Sequence, residues 1–427
     1  MSKKSVVVSC PIDTYSGYGA RSRDFVKALL ELEDYNVKII SQRWGNCRFG
    51  YLKDHNEDFI ESLIIPQMTA QPDIWIMITV PNEFQPVGKF NIGLTAGIET
   101  TVCHQDWLAG CNRMNLILTS SEFGKEVFEK TKYDMKNNQT GQIQESITLK
   151  TKIDVLLEGG DINKYKPKDV IKGEVSKELD KIKESFCFLN VGHWMQGDYG
   201  HDRKNIGYTV KSFLETFKNK KNPPALILKT QQVGTSIMDR EEMLRRIDSL
   251  RSQVRGTLPN IYLFHGEVSD TEMNELYNHP KVKAMVSHTK GEGFGRPLLE
   301  FALVNKPIIA SGWSGHTDFL DKNHAILLGG KLENVHPTAQ VKNMILPNAQ
   351  WFTPEDQQVG FAYKDVFKKY KHYKNLAKKL GYRVRTNFSF EAMVMKLENI
   401  LKENLPEFPE QVELTLPKLE LPKLEKL

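Results

Sequence analysis

No run of apolar residues in this 427-residue chain approaches the roughly 20 that a membrane span needs. The nearest, Ile74 to Val80, reads as a buried strand. Cysteine is scarce and odd in number: Cys10, Cys47, Cys103, Cys111 and Cys187 lack the paired spacing of a zinc site and suit a reducing compartment better than a disulfide framework. The opening Met1 to Cys10 has too few apolar residues for a signal peptide, so the expected location is the cytoplasm. Charge of one sign is lacking too. Lys and Arg total 58 against 53 Asp and Glu, and a net +5 over so large a surface does not by itself imply a polyanionic partner. No Asp-x-Asp metal motif stands in a suitable place, so no metal and no other cofactor is expected.

What is present is a strand-helix alternation that runs twice. The length suits two domains rather than one core. A strand at Ser5 to Ser9, a small-residue loop Pro11 to Gly19, a helix near Ala20 to Glu33 and a strand Val37 to Ser41 form a βαβ opening. Further buried strands are predicted at Ile74 to Val80, Phe90 to Thr95, Leu116 to Thr119 and Ile153 to Leu156. Lys132 to Lys150 reads as a surface loop, and the charged stretch Lys166 to Lys183 as a linker. The pattern then restarts, with strands at Phe186 to Val191, Ala225 to Lys229, Ile261 to Phe264, Ala284 to Ser287 and Pro307 to Ala310. Helices are predicted between them at Asn205 to Phe217, Arg240 to Arg255, Thr271 to Tyr277 and Pro297 to Val304. The fold class is therefore α/β, two doubly wound Rossmann-like units facing a cleft, where such domains bind ligands at the carboxyl ends of their strands. The expected division is 1–168, 169–353, consecutive helices over 354–404, and a proline-rich tail over 405–427 in which Leu-Pro-Lys-Leu-Glu occurs twice.

The most informative segment is Ser287-His-Thr-Lys-Gly-Glu-Gly-Phe-Gly-Arg-Pro-Leu-Leu-Glu300. It places a strand, a glycine loop and a helix start in succession. Gly291, Gly293 and Gly295 let backbone approach a ligand closely, and the amides opening the helix supply partial positive charge suited to a diphosphate. Glu292 and Glu300 more plausibly accept hydrogen bonds from sugar hydroxyls than meet a phosphate, one from a transferred sugar and one from a ribose.

Glu-Gly-Phe-Gly-Arg-Pro-Leu-Leu-Glu resembles the E-x7-E signature of the large retaining GT-B glycosyltransferase family often called group 1. His265-Gly-Glu-Val-Ser-Asp270 and Lys306-Pro-Ile-Ile-Ala-Ser-Gly-Trp-Ser-Gly315 resemble its flanking segments. Gly97-Ile-Glu-Thr100, Ser120-Ser-Glu-Phe-Gly124 and Glu158-Gly-Gly-Asp161 fall in the family's order, so the likeness spans roughly Ser5 to Ile400. Chains of this style also occur in large tailed phages. The resemblance implies a nucleotide-sugar donor, with Glu292 on hydroxyls of the donor sugar, Glu300 on the ribose, and backbone amides near Gly293, Phe294 and Gly295 on the diphosphate. Lys204 stands where the family has a lysine before the first helix of the second domain, with Arg203 beside it. The family's preceding arginine is His193 here, so Arg203 takes that role or the leaving-group charge is met differently. Fixed cations and helix dipoles stabilise the charge growing on a departing nucleoside diphosphate, which makes a divalent metal dispensable. In this family the donor phosphate is usually held to accept the acceptor's proton, with retention of configuration.

In the first unit Gly17-Tyr-Gly19 lacks the third glycine of a dinucleotide fingerprint, because Ser22 holds that position. Gly17 and Gly19 are expected near the donor phosphate, and Tyr15 or Tyr18 near the acceptor. Glu99 either orients the acceptor or is a capping or ion-pairing carboxylate; His104, the nearest match to a family histidine that touches the donor sugar, is expected to be structural. From Lys364 to Arg385 nine cations face the single acid Asp365, with Tyr370, Tyr373 and Tyr382 interleaved. That stretch is either a solvated helix face or a contact for DNA or an anionic membrane. The reading is a nucleotide-sugar-dependent transferase; a non-catalytic nucleotide-sugar binder and a GT-B epimerase are the alternatives.

Overall fold

The computed structural model describes residues 3–136, 140, 143–168, 172–194, 197, 199–232 and 235–408. The expected tail therefore falls, from residue 409 onward, outside the described residues. Two six-stranded parallel sheets carry the molecule. The first is built from β1 (Lys4–Cys10), β2 (Tyr35–Ser41), β3 (Ile74–Ile78), β4 (Phe90–Thr95), β5 (Leu116–Thr119) and β6 (Lys152–Val155), in the order β2-β1-β3-β4-β5-β6. The second comprises β7 (Cys187–Val191), β8 (Ala225–Lys229), β9 (Ile261–Phe264), β10 (Val282–Ser287), β11 (Ile308–Ser311) and β12 (Ile326–Leu328), in the order β9-β8-β7-β10-β11-β12. The central strands read as continuous apolar runs because helices cover both faces; every residue of Ile74–Ile78 is buried.

The helices that position the site are α1 (Gly17–Glu31), α2 (Ile206–Phe217) and α3 (Arg296–Leu303). Helix α1 starts where Ser16, in extended backbone, accepts the amide of Gly19 on its side chain. Three further helices follow the second sheet: α4 (Asp356–Lys368), α5 (Tyr370–Asn387) and α6 (Phe390–Asn404). Val359 and Tyr363 of α4 and Leu380 and Val384 of α5 join the cores of the second sheet, whereas Met393, Leu397 and Ile400 of α6 enter the first-sheet core beside Val6 and Phe25. The chain thus crosses between domains twice, and the two passages touch. Gly160 donates to the Phe388 carbonyl at 2.8 Å and the Phe390 amide donates back at 3.0 Å.

Two sequence expectations are corrected. The stretch expected as a surface loop holds an antiparallel pair, Tyr133–Lys136 with Ile143–Ile147; Tyr133 and Ile147 pack on the first-domain core while Asp134, Met135, Ile143, Gln144 and Glu145 are exposed, so no apolar alternation marks the strands. The expected linker contains a helix, Glu174–Asp180, that buries Val175 and Leu179 at i,i+4 spacing. A second hairpin, Gly330–Asn334 with Gln350–Pro354, was not foreseen. Its Trp351 packs with Val335 and Ala349 against Val102 of the first domain, and Thr101 and Gln350 exchange hydrogen bonds of 3.0 Å across the domains. Among the described residues no helix is long and apolar enough to cross a membrane.

Candidate active site between the two sheets

Parallel strands bring their carboxyl ends to one rim, and the loops leaving β1, β4, β7 and β10 meet there. The loop after β7 presents Arg203 and Lys204 just before α2, and the loop after β10 presents Gly291 to Gly295 just before α3. Hydrogen bonds tie the two loops together: the Lys290 amide donates to the Arg203 carbonyl at 2.8 Å, and the Arg203 guanidinium to the Gly291 carbonyl at 2.9 Å.

Lys204 Nζ lies 2.6 and 2.8 Å from the two carboxylate oxygens of Glu292. Arg203 Nη1 is 3.4 Å from Glu292 Oε2 and 3.2 Å from Glu99 Oε1, so one guanidinium nitrogen links a second-domain carboxylate to a first-domain one. Burial alone would push the Glu292 carboxyl up, but Lys204 and Arg203 more than offset it and hold it at about 2. Glu292 is thus an anion at neutral pH. Its backbone is fixed as well, with its amide on Ser314 Oγ at 2.9 Å and its carbonyl accepting from Gly315 at 2.9 Å.

Gly295 has φ of +97° and is the N-cap of α3, with no side chain capping that terminus, so the helix start offers its partial positive charge to the rim. Phe294 turns its ring into the core, 5.2 Å from Phe319, leaving only its backbone at the loop. The other two glycines do something the sequence did not indicate. A Cβ on Gly291 would lie 2.2 Å from the Glu99 carbonyl oxygen, and one on Gly293 would lie 2.7 Å from that of Ala96. Missing side chains here let two domains touch.

Glu300 belongs to a separate network. Tyr277 donates to one of its oxygens at 3.1 Å and Arg296 Nε to the other at 3.2 Å. Burial pushes the Glu300 carboxyl up to about 7 against the pull of Arg296, so it titrates near neutrality. The two motif glutamates therefore differ: one is an anion at neutral pH, the other a carboxyl poised between states.

In the first domain Gly17 is exposed, with open space where a Cβ would stand, whereas a Cβ on Gly19 would meet the Thr14 carbonyl oxygen at 2.3 Å. Gly17 thus leaves room at the rim, and Gly19 permits the loop to fold on itself. Tyr18 stacks on Trp44 with ring centroids 4.0 Å apart, and its hydroxyl hydrogen-bonds Thr95 and accepts from the Ala96 amide, bracing the segment that carries Glu99. Tyr15 instead donates to Asp54 at 2.7 Å under Arg48, which reaches across to Glu267 of the second domain. His104 is an N-cap accepting from the Asp106 amide. Burial lowers His193, which bonds the Gln232 carbonyl through Nδ1.

Several positions escaped sequence reading because their partners lie far along the chain. Asp318 accepts the Glu122 amide across the domains at 2.9 Å, and burial raises its carboxyl to about 6. Trp313 meets Phe123 edge-on at 4.7 Å. Among the described residues no group of three or more metal-binding side chains occurs.

Several solved structures are similar to this chain over nearly its whole length. A glycosyltransferase from Rickettsia africae matches with a TM-score of 0.62 at 14% identity, over 95% of this chain and 99% of the other. Anabaena HepE in complex with UDP and glucose matches with a TM-score of 0.62 at 13% identity, over 94% and 100%. Sucrose-phosphate synthase from Thermosynechococcus elongatus matches with a TM-score of 0.60 at 10% identity, over 94% and 99%. No protein-family profile and no curated protein matches the sequence. At these identities the likeness is one of fold, and the fold is GT-B.

Proposed function

We propose that this chain is a glycosyltransferase that moves a sugar, with retention and without a metal, from a nucleotide-sugar donor to an acceptor hydroxyl. The observation that carries the reading is the Lys204–Glu292 pair, a half-buried ammonium on a buried carboxylate, held beside the uncapped start of α3 where the domains meet. In this reading Lys204 and the α3 amides near Phe294 and Gly295 take the diphosphate, Gly17 admits it from the first-domain side, and Glu292 accepts from donor-sugar hydroxyls. Glu300 accepts from the ribose. Arg203 holds the glycine loop and Glu99 in register, and Glu99 faces the acceptor. HepE, of the same fold, is described in complex with UDP and with UDP-glucose, which supports a nucleotide-sugar donor.

The ribose assignment has a direct test. Glu300→Ala is expected to raise the donor KM by about tenfold or more while kcat changes little, the cost of losing charge-assisted hydrogen bonds. Steady-state kinetics unchanged from the parent would remove Glu300 from the donor site.

For the acceptor we propose a polyanionic contact on α4 and α5. Lys369 pairs with Asp365, Arg383 with Asp321, and Arg385 donates to the Leu303 carbonyl, whereas Lys364, Lys368, Lys371, Lys378 and Lys379 point into solvent. Binding to duplex DNA should weaken steeply with salt, with a log–log slope of about −0.9 per phosphate neutralised. Reversing Lys368, Lys371 and Lys378 to Glu should abolish it and leave donor hydrolysis intact. Acidic vesicles run beside the DNA distinguish a membrane, and binding to neither at low salt leaves α4 and α5 as a solvated face.

A further inference from the structure

Between the glycine loop and Glu300 stands a residue for which the reading above has no use. Arg296 is the first residue of α3, and its guanidinium reaches three carboxylates from three parts of the chain. Nε contacts Glu300 one turn along at 3.2 Å, Nη1 pairs with Asp24 on α1 of the first domain, and Nη1 also lies 3.7 Å from Glu158, where the chain leaves that domain. The carboxylate of Glu300 and the body of the first domain are therefore joined through one side chain.

We propose that Arg296 is a positioning residue that ties the ribose-binding carboxylate of Glu300 to Asp24 across the domain interface, making nucleotide affinity depend on closure of the two domains. The inference rests on the reading of Glu300 as the ribose contact. Its physical basis is charge balance at a dry interface. Burial favours a neutral Glu300, and Tyr277 and Asp270 from the neighbouring helix offer it one hydroxyl and one further negative charge. Asp270 is occupied by Lys164 at 2.9 Å and by the Tyr165 hydroxyl, and Arg21 of α1 turns its two terminal nitrogens to the carbonyls of Leu157 and Leu156. Arg296 is the cation in contact with Glu300. Separation of the domains would draw Asp24 and Glu158 away from Arg296, and with them the geometry that aims it at Glu300.

A raised carboxyl is neutral below its pKa, so nucleotide affinity that needs the Glu300 anion is present above pH 7 and fades as pH falls through it. Removing Arg296 moves that transition upward. The test is calorimetric binding of UDP, GDP and ADP, using whichever binds the parent tightest, from pH 6 to pH 9. Arg296→Met should weaken binding about tenfold at pH 7 and recover toward pH 9, and Arg296→Lys should keep most of the parental pH profile. Asp24→Asn should weaken binding about threefold in the parent and have no effect in the Arg296→Met background, since the two act through one contact. Parental affinity in Arg296→Met, a loss that is the same at every pH, or an undiminished Asp24→Asn effect in the double variant would each overturn the proposal; if Arg296→Met does not fold, Arg296→Gln with and without Asp24→Asn carries the same comparison. Glu300→Gln separates the two layers. If it binds nucleotide like the parent with the same pH profile, the ribose reading itself fails, as it does if none of the three nucleotides binds.

Discussion

Replacing Lys204 with methionine is expected to lower kcat by about 10²- to 10³-fold, the loss seen when one preorganised electrostatic contact to a developing charge is removed. Methionine keeps most of the side-chain stem and deletes only the ammonium, so its packing beside Gly192 is largely retained. The effect is large because the charge lies in a dry rim where screening is weak, 2.6 Å from Glu292. As negative charge moves onto the departing diphosphate, Lys204 gains attraction that the ground state lacks, which is the condition for a residue to act on kcat rather than on KM alone. The change also leaves Glu292 with Arg203 alone at 3.4 Å, and breaking a buried pair costs stability. Thermal unfolding measured beside kcat separates the two, and Lys204→Arg should recover part of the rate. A Lys204→Met enzyme turning over within about threefold of the parent would remove the lysine from the chemistry.

The second large effect comes from a methyl group. Gly291→Ala places a Cβ 2.2 Å from the Glu99 carbonyl oxygen and 3.0 Å from both the Glu99 carbonyl carbon and Cβ. The nearest of these is backbone, which cannot swing aside. Relief requires the glycine loop and the segment 96–99 to part by about 1 Å, a displacement that costs about 10²-fold when it separates reacting groups. Activity should therefore fall by that order while each domain keeps its core. Gly360→Ala on α4 is the matched control, because its Cβ would meet only the Thr216 hydroxyl, at an ordinary 3.6 Å. Equal activity of the two variants would mean that the contact between Gly291 and Glu99 is not kept during turnover.

These glycines also mark where sequence reading stops. Strands Phe90–Thr95, Leu116–Thr119, Ala225–Lys229 and Ile261–Phe264 fall where their apolar runs place them, since a strand covered on both faces leaves a continuous signal. The hairpin Gly330–Asn334 with Gln350–Pro354 left none, because Gly330–Asn334 is mostly exposed and the core residue of its partner strand, Trp351, is recognisable only with Val102 beside it. The return of α6 to the first domain was invisible for the same reason. An amphipathic helix declares that it has a buried face and not which core receives it. In the site, the spacing of Glu292 and Glu300 was legible, and so was Lys204 before α2. The partition of the two glutamates into separate networks was not. It depends on Arg203, Glu99, Asp24 and Tyr277, whose meeting is set by the packing of one domain on the other.

The measurement that tests the account most directly is release of nucleoside diphosphate from a panel of UDP-, GDP- and ADP-sugars, with excess chelator present, by the parent and by Lys204→Met and Glu300→Ala. The parent should hydrolyse or transfer from at least one donor, Lys204→Met should lose rate at saturating donor, and Glu300→Ala should lose affinity at near-parental rate. No release from any donor by a folded parent, or release only when a divalent metal is restored, would contradict it.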